Sequence, residues 1–165
     1  MRKVIANAAA QFVIFAAVGV IVAWPSLHYS WYTDDLHLVR EFSRQELLLA
    51  WHHTWDLDDI ETVGYRPLTV WFNHARAALF GEEMAGHRLF TIALFAAYFV
   101  LIARVGRRFG LTPTATTLAG VMMLCAKYSC YHFIWMTDAA HLAQGILLAL
   151  ALLVGGWARR SSCSC

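Results

Sequence analysis

Asp34 and Asp35 are adjacent carboxylates that follow an uncharged apolar run at residues 4–24. A carboxylate held just beyond a membrane helix can take a proton from an acceptor hydroxyl. Neighbours on a helix do not face each other. The two are therefore unlike a glycosidase pair, which needs about 5–9 Å of facing separation. Residue type alone also fits a plainer role, one acid capping a helix and the other solvated. Arg66 is the second candidate, because a guanidinium matches phosphate oxygens with a planar fork. Its plain alternative is a salt bridge to a nearby acid. Arg88 and Lys127 fall at the outer ends of apolar runs, where a cation meets a lipid phosphate or snorkels to the headgroups.

Other residue types offer less. The eight histidines include His52-His53, His74 and His87. None has H-x-x-x-H or HExxH spacing, so no metal site is expected from them. Asp56-Leu57-Asp58-Asp59 lacks the glycine and distal glutamate of a calcium loop. His141 and Gln144 lie within an apolar run, and their face is expected to pack inward. There is no Ser-His-Asp arrangement and no phosphate-cradling glycine loop. Cys125, Cys130, Cys163 and Cys165 make no disulfide framework, since residues 25–84 contain no cysteine.

The elements that must position these groups follow from composition. Of 165 residues, 59% are apolar and 15% charged, against about 25% charged in an average soluble domain. Mean hydropathy is +0.51. These figures exclude disorder and a disulfide scaffold, and they point to an integral membrane protein. The net charge of +2 is too small to argue for nucleic acid. Four spans are expected, at 4–24, 85–103, 111–126 and 139–158. They form one membrane domain over residues 1–165. The first is read as a retained anchor, since Ala23-Trp24-Pro25-Ser26 offers no signal-peptidase site. The three prolines, Pro25, Pro67 and Pro113, all fall at expected helix ends.

Charge sets the orientation. Arg2, Lys3, Arg104, Arg107, Arg108, Arg159 and Arg160 share one side of a four-span chain. That is the positive-inside pattern, so both termini are expected in the cytoplasm. All 11 carboxylates fall on the other side: ten from Asp34 to Glu83, and Asp138. The outer loop, residues 25–84, is too long to be structureless and should carry two or three interfacial helices. Leu36, Val39 and Phe42 have helical spacing after Asp34-Asp35. Arg66-Pro67 opens a second helix whose apolar stripe is Leu68, Trp71, Phe72, Ala75 and Leu79, with Asn73 and Arg76 on other faces and Gly81 as its stop.

The order of features is distinctive. One span is followed by Tyr32-Thr33-Asp34-Asp35. An acidic loop comes next, then Tyr65-Arg66-Pro67-Leu68-Thr69. Leu79-Phe80-Gly81 and Gly86-His87-Arg88-Leu89 lead into the second span. Over roughly residues 32–109 this resembles the N-terminal part of a GT-C glycosyltransferase. It is similar in particular to protein O-mannosyltransferases with tetratricopeptide repeats and their bacterial relatives. The resemblance implies a partial GT-C fold in a bacterial inner membrane. It implies a polyprenyl-phosphate sugar donor, membrane-lipid contact, and transfer with inversion on the non-cytoplasmic face to a protein or glycan hydroxyl. By position Asp34 would be the base, with Asp35 as its assistant or a contact to a divalent cation. Arg66, His87 and Arg88 match motif positions that would serve substrate or phosphate binding. Family members have more spans, so the chain is expected to be an N-terminal portion.

Overall fold

The computed structural model describes residues 7–28, 35, 39–53, 65–126, 133 and 139–161. Among these residues the fold is all-helical. In chain order the helices are α1 (Ala8–Ala23), continued by a 3-10 turn (Trp24–His28), α2 (Arg44–Leu49), α3 (Pro67–Phe80), α4 (Met84–Arg108), α5 (Pro113–Leu124) and α6 (Ala139–Ser161). Two helical segments, Ala8–Leu27 and Met84–Arg108, are long and apolar enough to cross a membrane. At 1.5 Å per residue α4 reaches about 37 Å.

The helix ends follow local chemistry. Asn7 caps α1 by accepting the Ala9 N–H, and Thr112 caps α5 by accepting the Ala115 N–H. Pro67 and Pro113 open α3 and α5, where the missing N–H costs nothing. Gly81 ends α3 at φ 53°, a conformation glycine adopts without strain. Arg107 and Arg108 belong to the last turn of α4 instead of closing it early, so the helix outruns the expected 85–103. They complement the carbonyl end of the helix dipole. The run at 111–126 folds as only 12 helical residues, about 18 Å.

Side-chain contacts give the helix directions. A Cβ on Gly19 of α1 would meet Ile92 of α4, and Phe15 meets Phe99, so α1 and α4 run antiparallel. Gly106 faces Thr116, and Gly120 faces Phe99, so α5 also opposes α4. Tyr98 covers Gly145, and Arg108 Nη1 donates to the Leu152 carbonyl, so α6 runs alongside α4. The apolar core lies among Phe15, Ile92, Phe95, Phe99, Leu124, Phe133 and Leu142. Gln11 Nε2 donates to Thr117 Oγ1 at 2.8 Å, a buried polar tie between α1 and α5. α4 contacts α1, α3, α5 and α6 and is the axis of the fold.

A smaller cluster, Phe42, Leu47, Ala50 and Val70, joins α2 to α3. Trp71 Nε1 donates to the Leu47 carbonyl across that joint, and the Phe42 N–H donates to His74 Nδ1. The expected helix carrying Leu36, Val39 and Phe42 is cut short. The Val39 N–H donates to the Asp35 carbonyl, Leu36 lies outside the described residues, and residues 41–43 are not helical. The helix starts again at a capping box, with Ser43 accepting from the Glu46 N–H and Glu46 accepting from the Ser43 N–H. That reciprocal pairing outcompetes continuation of the earlier turn.

Two outcomes test this packing. Gly120→Ala would press a Cβ to 2.7 Å from Phe15 Cε1. Overpacking of that kind should cost about 1–3 kcal/mol, read as a lower unfolding midpoint in detergent micelles. Glu46 is held down at about 2 from 4.5, chiefly by Arg40 and then by the Ser43 cap. A depressed carboxyl contributes stability above its unfolded value. The α2 joint should therefore weaken as pH falls from about 4.5 towards about 2, and Glu46→Gln should flatten that profile. Fluorescence of Trp71, which bridges the joint, reports the change.

Candidate functional site

Asp35 is fully buried, although it follows a membrane-length helix and belongs to the acidic stretch. Its charge acts on Arg76 of α3 and on His87 and Arg88 of α4. All three are themselves buried, with Arg76 at 1% exposure and His87 and Arg88 at 0%. The cluster therefore unites Asp35, the inner face of α3 and the first two turns of α4. Among the described residues it holds two guanidinium groups and one carboxylate. Burial pulls Arg76 down to about 10, and the Asp35 carboxylate opposes that shift. Phe72 and Phe90 stand 5.6 and 5.9 Å from the Arg76 guanidinium and give it π faces.

The turn between α3 and α4 holds the cluster in place. His87 Nε2–H donates to the Gly81 carbonyl at 2.9 Å, since a carbonyl can only accept. The His87 carbonyl accepts from both Arg76 Nη2 and Thr91 Oγ1. Phe80 lies edge-on to His87, at 5.3 Å, and against Gly86. A Cβ on Gly86 would meet Phe80 Cδ1 at 2.7 Å, so only glycine lets that ring settle. The Phe80-Gly81 and Gly86-His87-Arg88 segments are thus one packed corner.

Each expected site residue can now be located. Asp34 and Lys127 lie outside the described residues. Asp35, His87 and Arg88 come together. Arg66 is the exposed N-cap of α3. Asn73 and Arg76 lie on a different face from the apolar stripe, as the spacing predicts: both are buried, while Leu68, Trp71 and Leu79 of the stripe are exposed. The amphipathic helix thus turns its polar face inward. Asn73 Oδ1 and Thr69 Oγ1, on the same inner face, are buried without hydrogen-bond partners. The periodicity revealed two faces and not which one turns inward. His141 and Gln144, expected to face inward, are exposed. An open apolar groove of about 340 Å³ beside Gln45, Leu48, Leu49 and His52 lies on α2. No group of three or more His, Cys, Asp or Glu side chains able to hold a metal occurs among the described residues. No family model, curated protein or solved structure matches the chain.

A carboxyl with no exposed surface is out of reach of an acceptor molecule. Asp35 is the counter-ion of the cluster and a positioning residue. Removing one partner of such a buried set leaves uncompensated charge, at a cost of about 3–5 kcal/mol. Asp35→Asn should lower stability by that amount in a denaturant titration of the micelle-bound chain. A loss below about 0.5 kcal/mol, the range of surface substitutions, would show that the cluster carries no strain of charge.

Proposed function

We propose that the chain is a multi-pass membrane protein with four transmembrane helices and both termini in the cytoplasm. In this reading it is the N-terminal module of a GT-C-type transferase that uses a polyprenyl-phosphate sugar on the non-cytoplasmic face. The observation that carries the reading is convergence: Asp35 of the first motif is buried with His87 and Arg88 of the last, under the helix that the Arg66-Pro67 motif opens. Three of the five expected site residues, Asp35, His87 and Arg88, thus share one buried cluster, and this supports the reading.

The membrane part has its own support. Exposed Leu68, Trp71, Ala75 and Leu79 over a polar, charged inner face suit a helix lying in a lipid interface. Trp24 and Tyr65 are exposed as well, as in an aromatic belt. Helix directions also separate the charges. Arg104, Arg107 and Arg108 occupy the far end of α4, whereas Glu82 and Glu83 precede its start beside the Asp35 cluster.

The proposed reaction needs a base at headgroup depth, because a lipid-linked donor keeps its reactive carbon there. Asp34 takes the proton of the acceptor hydroxyl. The oxygen bonds to the anomeric carbon as that carbon's bond to the polyprenyl-phosphate oxygen breaks, and the configuration inverts. The phosphate leaves with the electron pair, and a guanidinium offsets its charge. Arg66 is exposed at the N-terminal end of α3 and suits that task. Arg76 and Arg88 hold the frame.

A second reading, a non-catalytic membrane protein or assembly partner, draws on the complete burial of Asp35, His87 and Arg88, which a purely structural corner also explains. Membranes containing the chain, supplied with a radiolabelled polyprenyl-phosphate sugar, separate the two. Transfer that falls about 10²–10⁴-fold in Asp34→Asn, the range for loss of a general base, supports the transferase. Undiminished transfer, or the absence of transfer by the unaltered chain, favours the partner reading.

A further inference from the structure

We propose that His74 is a proton-operated latch on the joint between α2 and α3: its neutral ring holds the Phe42 backbone, and its protonated ring releases it. The latch stands on contacts within the chain and is independent of the transferase reading.

Phe42 is buried, and its N–H donates to His74 Nδ1 at 2.9 Å. A ring nitrogen accepts only while it carries no hydrogen, so the bond requires a neutral imidazole protonated at Nε2. Imidazolium has a hydrogen on both nitrogens, and no turn of the ring restores an acceptor. The buried Phe42 N–H is then left facing another donor, which costs more than the loss of a solvated bond. His74 is half-buried, within reach of solvent protons.

The position of the bond gives it leverage. The rest of the joint is the small apolar cluster of Phe42, Leu47, Ala50 and Val70, tied by Trp71 Nε1 to the Leu47 carbonyl. Phe42 lies between Val39, whose N–H donates to the Asp35 carbonyl, and the Ser43 cap of α2. His74 therefore pins the chain between Val39 and α2 onto α3. In the proposed topology this joint lies in the outer loop, so acidity outside the cytoplasm operates it.

The surrounding charges leave the task to His74. The Arg40 guanidinium lies 4.2 Å from the centre of the Phe42 ring, and that ring stands 6.4 Å from the imidazole. Imidazolium is thus a second cation beside one ring. The Glu46 carboxylate is engaged by Arg40 and by the Ser43 N–H, and at about 2 it stays ionised wherever imidazoles titrate. Among the described residues, Glu41, Arg44, His52 and His53 lie on or beside α2 and are exposed. On α3 itself Arg66 caps the start and Arg76 belongs to the ion cluster. The other helices that contact α3 are α4, which follows exposed Glu82 and Glu83 and carries buried His87 and Arg88, and α6, which carries exposed His141. His87 differs in kind from His74: its Nε2–H donates to the Gly81 carbonyl, a bond that survives protonation.

The test follows amide exchange and ring titration by NMR, using the full isotope-labelled chain in micelles from about pH 8 to about pH 5, the range in which imidazoles titrate. Protection of the Phe42 N–H, corrected for the intrinsic pH dependence of exchange, should fall about tenfold on acidification, the size of one hydrogen bond. Its midpoint should coincide with that of the His74 ring. The Gly81 N–H, bonded to the Ala77 carbonyl, should keep its protection, which separates release of the joint from unfolding of α3. His74→Asn offers an amide oxygen near the Nδ1 position and does not titrate, so Phe42 should stay protected throughout. Replacing His52 and His53 together by Asn should leave the fall intact. Constant Phe42 protection in the unaltered chain overturns the proposal, as does an equal loss at Gly81 or a midpoint that differs from that of the His74 ring. A fall that persists in His74→Asn, or that vanishes without His52 and His53, overturns it as well. Should the His74→Asn chain fail to fold, the two midpoints of the unaltered chain decide.

Discussion

A carboxylate at zero exposure is tolerable only where cations share its enclosure. Asp35 meets that condition with Arg76 and Arg88, and the arrangement constrains everything around it. The three residues come from segments far apart in the chain. Their mutual attraction is strong because water is excluded, and the same exclusion makes separation expensive. Asp35, α3 and the head of α4 are therefore held in one relative position. The apolar contacts of Phe15, Phe95 and Phe99 set the bundle. The ion cluster sets what stands on top of it.

That constraint explains the inversion of α3. A helix whose inner face carries Thr69, Asn73 and Arg76, and whose outer face carries Leu68, Trp71, Ala75 and Leu79, is wrong for a protein surrounded by water. It is sensible for one surrounded by lipid at that level. There the apolar face keeps company with acyl chains, and the polar face turns towards the one place where it finds counter-charge. The proposed interfacial position of α3 and the buried ion cluster are thus two sides of one arrangement.

Much of the fold could be read in the residues. The helical character and the helix starts at Pro67 and Pro113 are local, and local chemistry decides them. The stop at Gly81 needs a left-handed residue, which the chain supplies. Three features were out of reach for a common reason: they depend on competition between elements. Phe42 has helical spacing after Asp35, but the capping box of Ser43 and Glu46 ends that turn and begins another. Asn73 and Arg76 stand off the apolar stripe by spacing, but that their face turns inward depends on Asp35, whose charge acts on Arg76. His141 and Gln144 look inward-facing by type, yet α6 spends its inner face on Tyr98 and Phe95 neighbours through small residues. A signal was available for Arg76: it stands three residues after Asn73 and seven after Thr69, so the three polar residues share one face of the helix.

The motif residues also divide by burial in a way that sequence order hides. Gly81, Gly86 and His87 are bound to one another by the Gly81 carbonyl, the Phe80 ring and the close approach that a missing Cβ permits. Their presence in a motif is explained by the corner they build. Asp35 is explained by the charge it neutralises. What these roles leave over is Arg66, exposed at the opening of α3, and Asp34, the neighbour of a carboxylate already committed elsewhere. Two acids side by side cannot share one task when one of them is sealed from every acceptor.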